Sequence, residues 1–495
     1  MLKVIIVSLI FYIIGWFLFS YKLMDVPPGI NGDGAAIGYS ASLIAKTGHD
    51  SEGKFLPLFT TLSWPDWKQP ITVYSTVAAF RIFGTSFFNL RAVSIFFVLL
   101  SGTIIFFLVK EIFNEKFATL GLLIFVTIPI VMIQSHLAIE NIAPLPFVTF
   151  WLWMLVKYSK DKKIKYLVFS GIALGISIYS YLGLRLIAPI LAILSIGYIY
   201  YSNLSKKINL KPILIFIFTL LPFLVLMIAI KNEYPGAILA SNRPREIISY
   251  QEFLLPYISS FDLSFLFMKG DSTPYHSTGK QGMFLLATLP LFLLGLFKIA
   301  KDRKPLFIFI MLVFFLSPIL YGLPGSIFRS SRLLALIPSF IIIVILGFKY
   351  LLELKGKIIR LLSIGILILL LFLNFVDFIK DYWFDYPNRV NQSFEKPLHK
   401  VFEDAAKLSK KENLAVLVQD DVPLRNPPVY FFFENAYFPK GLKRWTEGQI
   451  FPAKSIIMVS TQVFHRVKKP DYIDTLDYGS MDLDLLINHL DKSSP

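Results

Sequence analysis

Apolar runs of membrane-spanning length, nearly free of charge, recur along this chain, and short polar or basic segments separate most of them. They cover residues 4–20, 92–109, 117–133, 142–156, 166–184, 186–205, 212–230, 281–297, 305–321, 333–348 and 361–376. The pattern predicts about eleven transmembrane helices. The first run follows Lys3 and is not succeeded by a small-residue cleavage site, so it reads as a retained span and not as a signal peptide. Two long polar stretches, 21–91 and 231–280, interrupt the apolar rhythm, and the chain ends in a mixed segment from 381 onward. In that tail, 393–408 has helical periodicity, while 414–418 and 455–460 read as buried strands. The expected architecture is an α-helical polytopic membrane protein with a small C-terminal α/β domain, divided as 1–380 and 381–495. A further apolar segment, 71–83, is too short to span and is expected in the membrane interface plane.

Composition agrees and narrows the chemistry. Hydrophobic residues make up 55% of 495, with 48 Phe, and no soluble domain of this size could cover so much apolar surface. The absence of cysteine excludes disulfides and thiolate catalysis. With six histidines in all, a zinc site has little support, and no cofactor is implied; a divalent metal has no support in the residues themselves. The formal charge of +16 is distributed unevenly. With Lys3 cytoplasmic, the short inner segments hold 19 Lys/Arg against 5 acids, as positive-inside topology requires. The tail, with 15 basic and 16 acidic residues, is close to neutral and falls on the opposite side. The basic charge therefore reports topology and contact with membrane lipids and gives no reason to invoke nucleic acid. The expected setting is the cell membrane, with the N-terminus cytoplasmic and the C-terminal domain extracytoplasmic.

Chemistry is sought in the long outer loops, because the inner ones are short and predominantly basic. Pro27-Pro28-Gly29-Ile30-Asn31-Gly32-Asp33-Gly34 is a turn cluster ending in a carboxylate just past the first span. Asp33 there can act as a general base on an incoming hydroxyl, or cap a helix starting near Ala35, or both. In Trp64-Pro65-Asp66-Trp67-Lys68-Gln69-Pro70 a cation sits between aromatic residues suited to headgroup depth. Lys68 would lie at the level of a lipid phosphate, and plain interfacial snorkelling is the alternative. Glu140 stands at a span boundary, where a charge is cheap, four residues after His136. Arg185, Arg329 and Arg332 fall on the outer side, against the positive-inside bias, and their forked guanidinium groups suit phosphate oxygens as well as lipid anchoring. The segment from Lys269 to Gly282 is a Gly-rich polar turn, read as an acceptor-site lid or a plain loop. Asp482-Leu483-Asp484 imitates an acidic pair but is expected in a terminal helix with no cradle around it.

These stretches together resemble a known class. Pro27-Pro28-Gly29, Asp33 and Gly38-Tyr39 are followed by Lys46-Thr47-Gly48-His49-Asp50, Gly53-Lys54 and Leu56-Pro57. Lys68-Gln69-Pro70, Tyr74 and Arg91 complete a pattern that resembles the first outer loop of GT-C glycosyltransferases, of the protein O-mannosyltransferase and aminoarabinose-transferase type. The resemblance covers roughly the first 340 residues. It implies that Asp33 is the catalytic base, that Lys68 meets the lipid phosphate, that Glu140 is the second acidic residue and that an Arg before a late span, here Arg329 or Arg332, assists. Gly34 stands where relatives often carry a second acid, so a role shared by paired acids, metal binding included, is not carried over. The implied activity is transfer of a sugar from a polyprenyl-phosphate donor to a hydroxyl acceptor on protein, glycan or lipid, in one inverting displacement. The rival class is a transporter or flippase of lipid-linked sugars. Transporters place ionisable groups at the bilayer midplane on broken helices, whereas here the span centres are nearly uncharged.

Overall fold

In a bilayer every backbone donor must be paired inside its own segment, so charge-free runs fold as helices. The computed structural model describes residues 2–62, 66–203, 209–238, 249–390, 394, 398–478 and 483–490. Helices occupy every predicted apolar run, but their limits differ. Among the described residues seven are long and apolar enough to cross a membrane, or eight if one bent pair is counted as a single span, and the chain is a multi-pass membrane protein. The bent pair corrects the expectation of an unbroken run over 117–133. Helix Glu115–Val126 stops, Pro129 starts the next helix to Ser135, and the two are bent by 63°. Proline removes the amide that would have continued the first helix. The run 281–297 likewise becomes α-helical only from Leu289, after a 3-10 turn at Leu286–Thr288, with Pro290 at the second position of the α-helix. The segment 71–83 is the helix Pro70–Phe83. Helices Lys211–Ile230 and Lys357–Lys380 lie at the rim: their apolar windows are only 11% and 6% buried, which leaves rows of Leu, Ile and Phe for lipid.

The tail forms a five-stranded sheet in the order β2-β1-β3-β5-β4, with β1 Ala415–Gln419, β2 Lys443–Trp445, β3 Ser455–Ser460, β4 Ile473–Leu476 and β5 Leu483–Asn488. β1 runs parallel to β2 and β3, whereas β5 is antiparallel to β3 and β4. The expected terminal helix around Asp484 is thus a strand, and Asp482 lies outside the described residues. A short apolar run such as Leu483–Asn488 cannot be assigned to helix or strand by period alone, and here its pairing with β3 decides. Helix Leu398–Glu412 covers the sheet, close to the predicted periodic segment.

One apolar core joins this layer to the first long loop. Ala35, Ile37 and Ala41 of helix Gly32–Thr47 and Phe80 of helix Pro70–Phe83 are buried together with Phe402, Phe432, Phe433, Met458 and Leu485. The contact runs along helix Pro427–Tyr437. A Cβ on Gly38 would lie 2.7 Å from the Phe432 ring, so only glycine admits so close an approach. Phe432 also stacks on Phe80 at 6.4 Å, and Asn435 bonds Ser42 and Lys46.

Candidate functional site

The loop before helix Gly32–Thr47 is fixed by a buried cation. Arg91 donates to the carbonyls of Leu23, Pro27 (3.1 Å) and Gly29, and lies over the Phe87 ring at 4.2 Å. A buried guanidinium must find acceptors, and these three carbonyls set the path into the helix. Asn31 then caps it, its side chain accepting from the Gly34 amide at 2.9 Å. The capping role weighed for Asp33 therefore belongs to Asn31, and the helix begins at Gly32, not near Ala35. Asp33 sits in the first turn with its carboxylate toward a cavity. Gly34 has a steric reason: a Cβ there would lie 2.9 Å from the Ala138 carbonyl oxygen, so no side chain fits.

Lys68 reaches the same point from the far end of the loop. Its amide donates to the Thr60 carbonyl at 2.7 Å in a single antiparallel bridge. Its ammonium, on a residue only 3% exposed, lies 2.5 Å from Asp33 Oδ1 and 2.6 Å from Asp66 Oδ2. Asp66 carries no role in the sequence reading, yet its carboxylate, two residues before Lys68, is the second partner of the ammonium. Trp64 lies outside the described residues, so of the two expected flanking indoles only Trp67 is seen; its Nε1 donates to Pro235 O at 2.8 Å. Burial lowers the Lys68 pKa, but Asp33, Asp66 and Glu140 outweigh it and hold the ammonium above its usual value. Burial likewise raises the Asp33 carboxyl, and Lys68 outweighs that, holding it below the usual carboxylate range. The Asp33 side chain is 59% exposed because it borders an open cavity, although protein surrounds it on several sides.

That cavity has a volume of about 610 Å³ and brings together Asp33, Asp66, Lys68, Glu140, Arg329 and Arg332. Glu140 opens a short helical turn, Glu140–Ile142, and its Oε1 accepts from the Gln69 amide. Asp271 holds the opposite wall: its carboxylate accepts from Ser330 N at 2.6 Å, Ser330 Oγ at 2.9 Å and Thr273 N at 2.8 Å, with Arg329 3.8 Å away. Arg332 Nη1 is buried and has no hydrogen-bond partner among the described residues, a costly state that an anion in the cavity would relieve. The polar turn 269–282 is thus a wall of the cavity, to which it contributes Tyr275 and His276. His276 Nδ1 lies 2.8 Å from Gln134 Nε2, and burial, with Arg329 beside it, outweighs the nearby Asp271 and pushes the imidazole down to about 4, so it is neutral at pH 7.

Two candidates stand apart. Arg185 does not line the cavity; it donates to Gln69 Oε1 at 2.5 Å and to the carbonyls of Ala237 and Ile238. Since the Gln69 amide in turn binds Glu140, Arg185 reaches the site through Gln69. His136 shares no helical face with Glu140, because the helix ends at Ser135; its Nδ1–H donates to Val26 O at 2.9 Å. Among the described residues no group of three acidic or imidazole side chains has the geometry to hold a metal ion. The cation between Asp33 and Asp66 is the Lys68 ammonium.

Residues 68–228 match the family described as "Dolichyl-phosphate-mannose-protein mannosyltransferase". In fold the chain is similar to ArnT from Cupriavidus metallidurans bound to undecaprenyl phosphate, at 11% identity, covering 98% of this chain and 99% of that one, with a TM-score of 0.58. The apo state of the same protein gives 12% identity, 99% coverage of both chains and the same TM-score. A comparison with curated sequences gives no match. The resemblance drawn from the first long loop holds: in family profile and in fold this chain is similar to GT-C glycosyltransferases of the ArnT and protein mannosyltransferase type.

Proposed function

We propose that this protein is an inverting glycosyltransferase that moves a sugar from a polyprenyl-phosphate donor to a hydroxyl acceptor at the outer membrane face. One observation carries the reading: a single cavity gathers a first-turn carboxylate, a buried lysine held by carboxylates and two arginines, one with an unsatisfied buried nitrogen. That is the inventory for removing a proton at one end of a displacement and receiving negative charge at the other. The acceptor oxygen attacks the anomeric carbon as the bond from that carbon to the phosphate oxygen breaks. The hydroxyl proton passes to Asp33, and the electron pair leaves on the phosphate, where Lys68, Arg329 and Arg332 stabilise it. Incoming phosphate competes with Asp33 for Lys68, so donor binding loosens the ion pair that holds Asp33 weakly basic. Glu140 keeps Lys68 and the Gln69 backbone in register, and Arg185 supports Gln69.

In this reading residues 1–380 form the transmembrane catalytic domain and 381–495 an extracytoplasmic domain, joined through their shared apolar core. A family match described by a mannosyl donor supports the donor class. A flippase reading lacks a comparable observation, since the charged groups crowd one cavity beside the first long loop. The test is turnover of radiolabelled polyprenyl-phosphate sugar by the purified protein. Mass spectrometry of glycans and glycolipids from cells with and without the gene would name the product. Loss of no glycan or glycolipid from the deleted strain, together with no turnover, would sink the proposal.

A further inference from the structure

A second cavity of about 610 Å³ adjoins the first, and Leu62 and Pro428 line both. Its walls come from helix Gly32–Thr47, the turn after it and helix Pro427–Tyr437 of the C-terminal layer. Asp33 and Ala36 line the catalytic cavity, and Tyr39 lines its neighbour. These three positions, i, i+3 and i+6, form one ridge, and Tyr39 stands about 9 Å along the axis from Asp33. Tyr39 stacks against Phe431 with centroids 5.4 Å apart and 25° between planes, so the two rings form one aromatic wall. Beside it stand the exposed Ser51 hydroxyl and the Glu52 carboxylate.

We propose that this second cavity is the acceptor subsite and that the acceptor is a carbohydrate, which rests on the glycosyltransferase reading above. A pyranose ring has a flat C–H face and a rim of hydroxyls. The aromatic wall matches the face, and Glu52 and Ser51 match the rim as hydrogen-bond acceptor and donor. The described lining residues offer helix and turn, so the cavity has no strand edge to which a peptide could add. A sugar stacked on Tyr39 and Phe431 extends its next hydroxyl over the Leu62–Pro428 threshold toward Asp33. The C-terminal layer thereby takes a part in acceptor choice, and its rigid seating on the Asp33 helix through Gly38 and Phe432 fixes the distance between subsites.

The chain has no cysteine, so Ser51→Cys gives full-length protein with a single reporter thiol inside this cavity. Maleimide labelling of that protein in nanodiscs is measured with mannotriose, with maltotriose and with a Ser/Thr-containing peptide. The expected result is that an oligosaccharide slows labelling by about tenfold at ten times its Kd, and that the peptide does not. Phe431→Ala in the same background should abolish the protection, Phe431→Tyr should keep it, and both should bind polyprenyl phosphate like the parent. Labelling unchanged by either oligosaccharide, protection by the peptide instead, or protection that survives Phe431→Ala would each overturn the proposal. Failure of the parent protein to bind polyprenyl phosphate would instead count against the donor reading, and the labelling result would still decide on the sugar.

Discussion

Asp33→Asn separates chemistry from architecture at this site. Three features of the structure predict that the protein survives the change. The helix cap is Asn31, so capping is untouched. The buried Lys68 ammonium keeps Asp66 at 2.6 Å and is not orphaned. What is lost is one of the two carboxylates paired with Lys68 and a negative charge in the first turn of a helix, the latter worth about 0.3–1 kcal/mol and screened here because the side chain is largely exposed. Asn keeps the shape and can still accept from Lys68, but it cannot take a proton. General-base catalysis supplies roughly 10²- to 10⁴-fold, so kcat should fall by that factor, about 3–5 kcal/mol in the barrier. The assay is single-turnover transfer from radiolabelled polyprenyl-phosphate sugar by purified protein, with polyprenyl-phosphate binding and thermal unfolding measured on the same preparation. A large rate loss with donor binding retained fits the assignment. Near wild-type turnover would remove Asp33 from the mechanism and leave Glu140 and Asp66 as the acidic candidates lining the cavity. A collapse of thermal stability would show that Asp33 holds the loop together, contrary to the reasoning above.

Lys68→Ala should weaken polyprenyl-phosphate binding by about 1.5–3 kcal/mol, the usual worth of a charge-assisted contact. Lys54→Ala, whose ammonium lies near the Tyr234 ring at 5.2 Å, should not; equal affinities would reduce Lys68 to a structural cation. Gly38→Ala should destabilise by about 1–3 kcal/mol, because the new methyl must displace the Phe432 ring and separate the C-terminal layer from the Asp33 helix; an unchanged melting temperature would refute that packing. His276 is neutral in the folded protein down to about 4, against 6.5 in the unfolded chain. The unfolded state therefore binds the extra proton first, and stability should drop as pH falls from 6.5 toward 4. His276→Gln should flatten part of that slope in a melting series. Asp33 shows the usual acidic case: its pair with Lys68 stabilises above the ordinary aspartate value of 3.8 and is lost as pH falls through the depressed folded value. A reporter active only in the cytoplasm, fused after Pro495, should give no signal; a strong signal would invert the proposed topology.

The first long loop announced itself in the sequence because its chemistry is local. Pro27 and Gly29 impose a turn on their own neighbours, although the helix cap expected at Asp33 falls on Asn31, and Asp66, two residues before Lys68, carries no role in the sequence reading. The apolar runs were equally legible, since a bilayer leaves a charge-free segment no option but helix. What the sequence did not carry was the pairing of distant groups. Nothing near Lys68 announces that its ammonium lies against Asp33, 35 positions earlier, nor that Arg185 turns away from the cavity to bind Gln69, 116 positions before it. Asp271 and Ser330, 59 apart, build a wall whose purpose shows only when both are in place. The same limit explains β5. Leu483–Asn488 is short and apolar enough for either helix or strand, and its pairing with β3, set by tertiary packing, made it a strand. Periodicity and turn chemistry act over a few residues and survive in one dimension. A cavity is defined by which surfaces the fold leaves unfilled, and only the tertiary structure decides that.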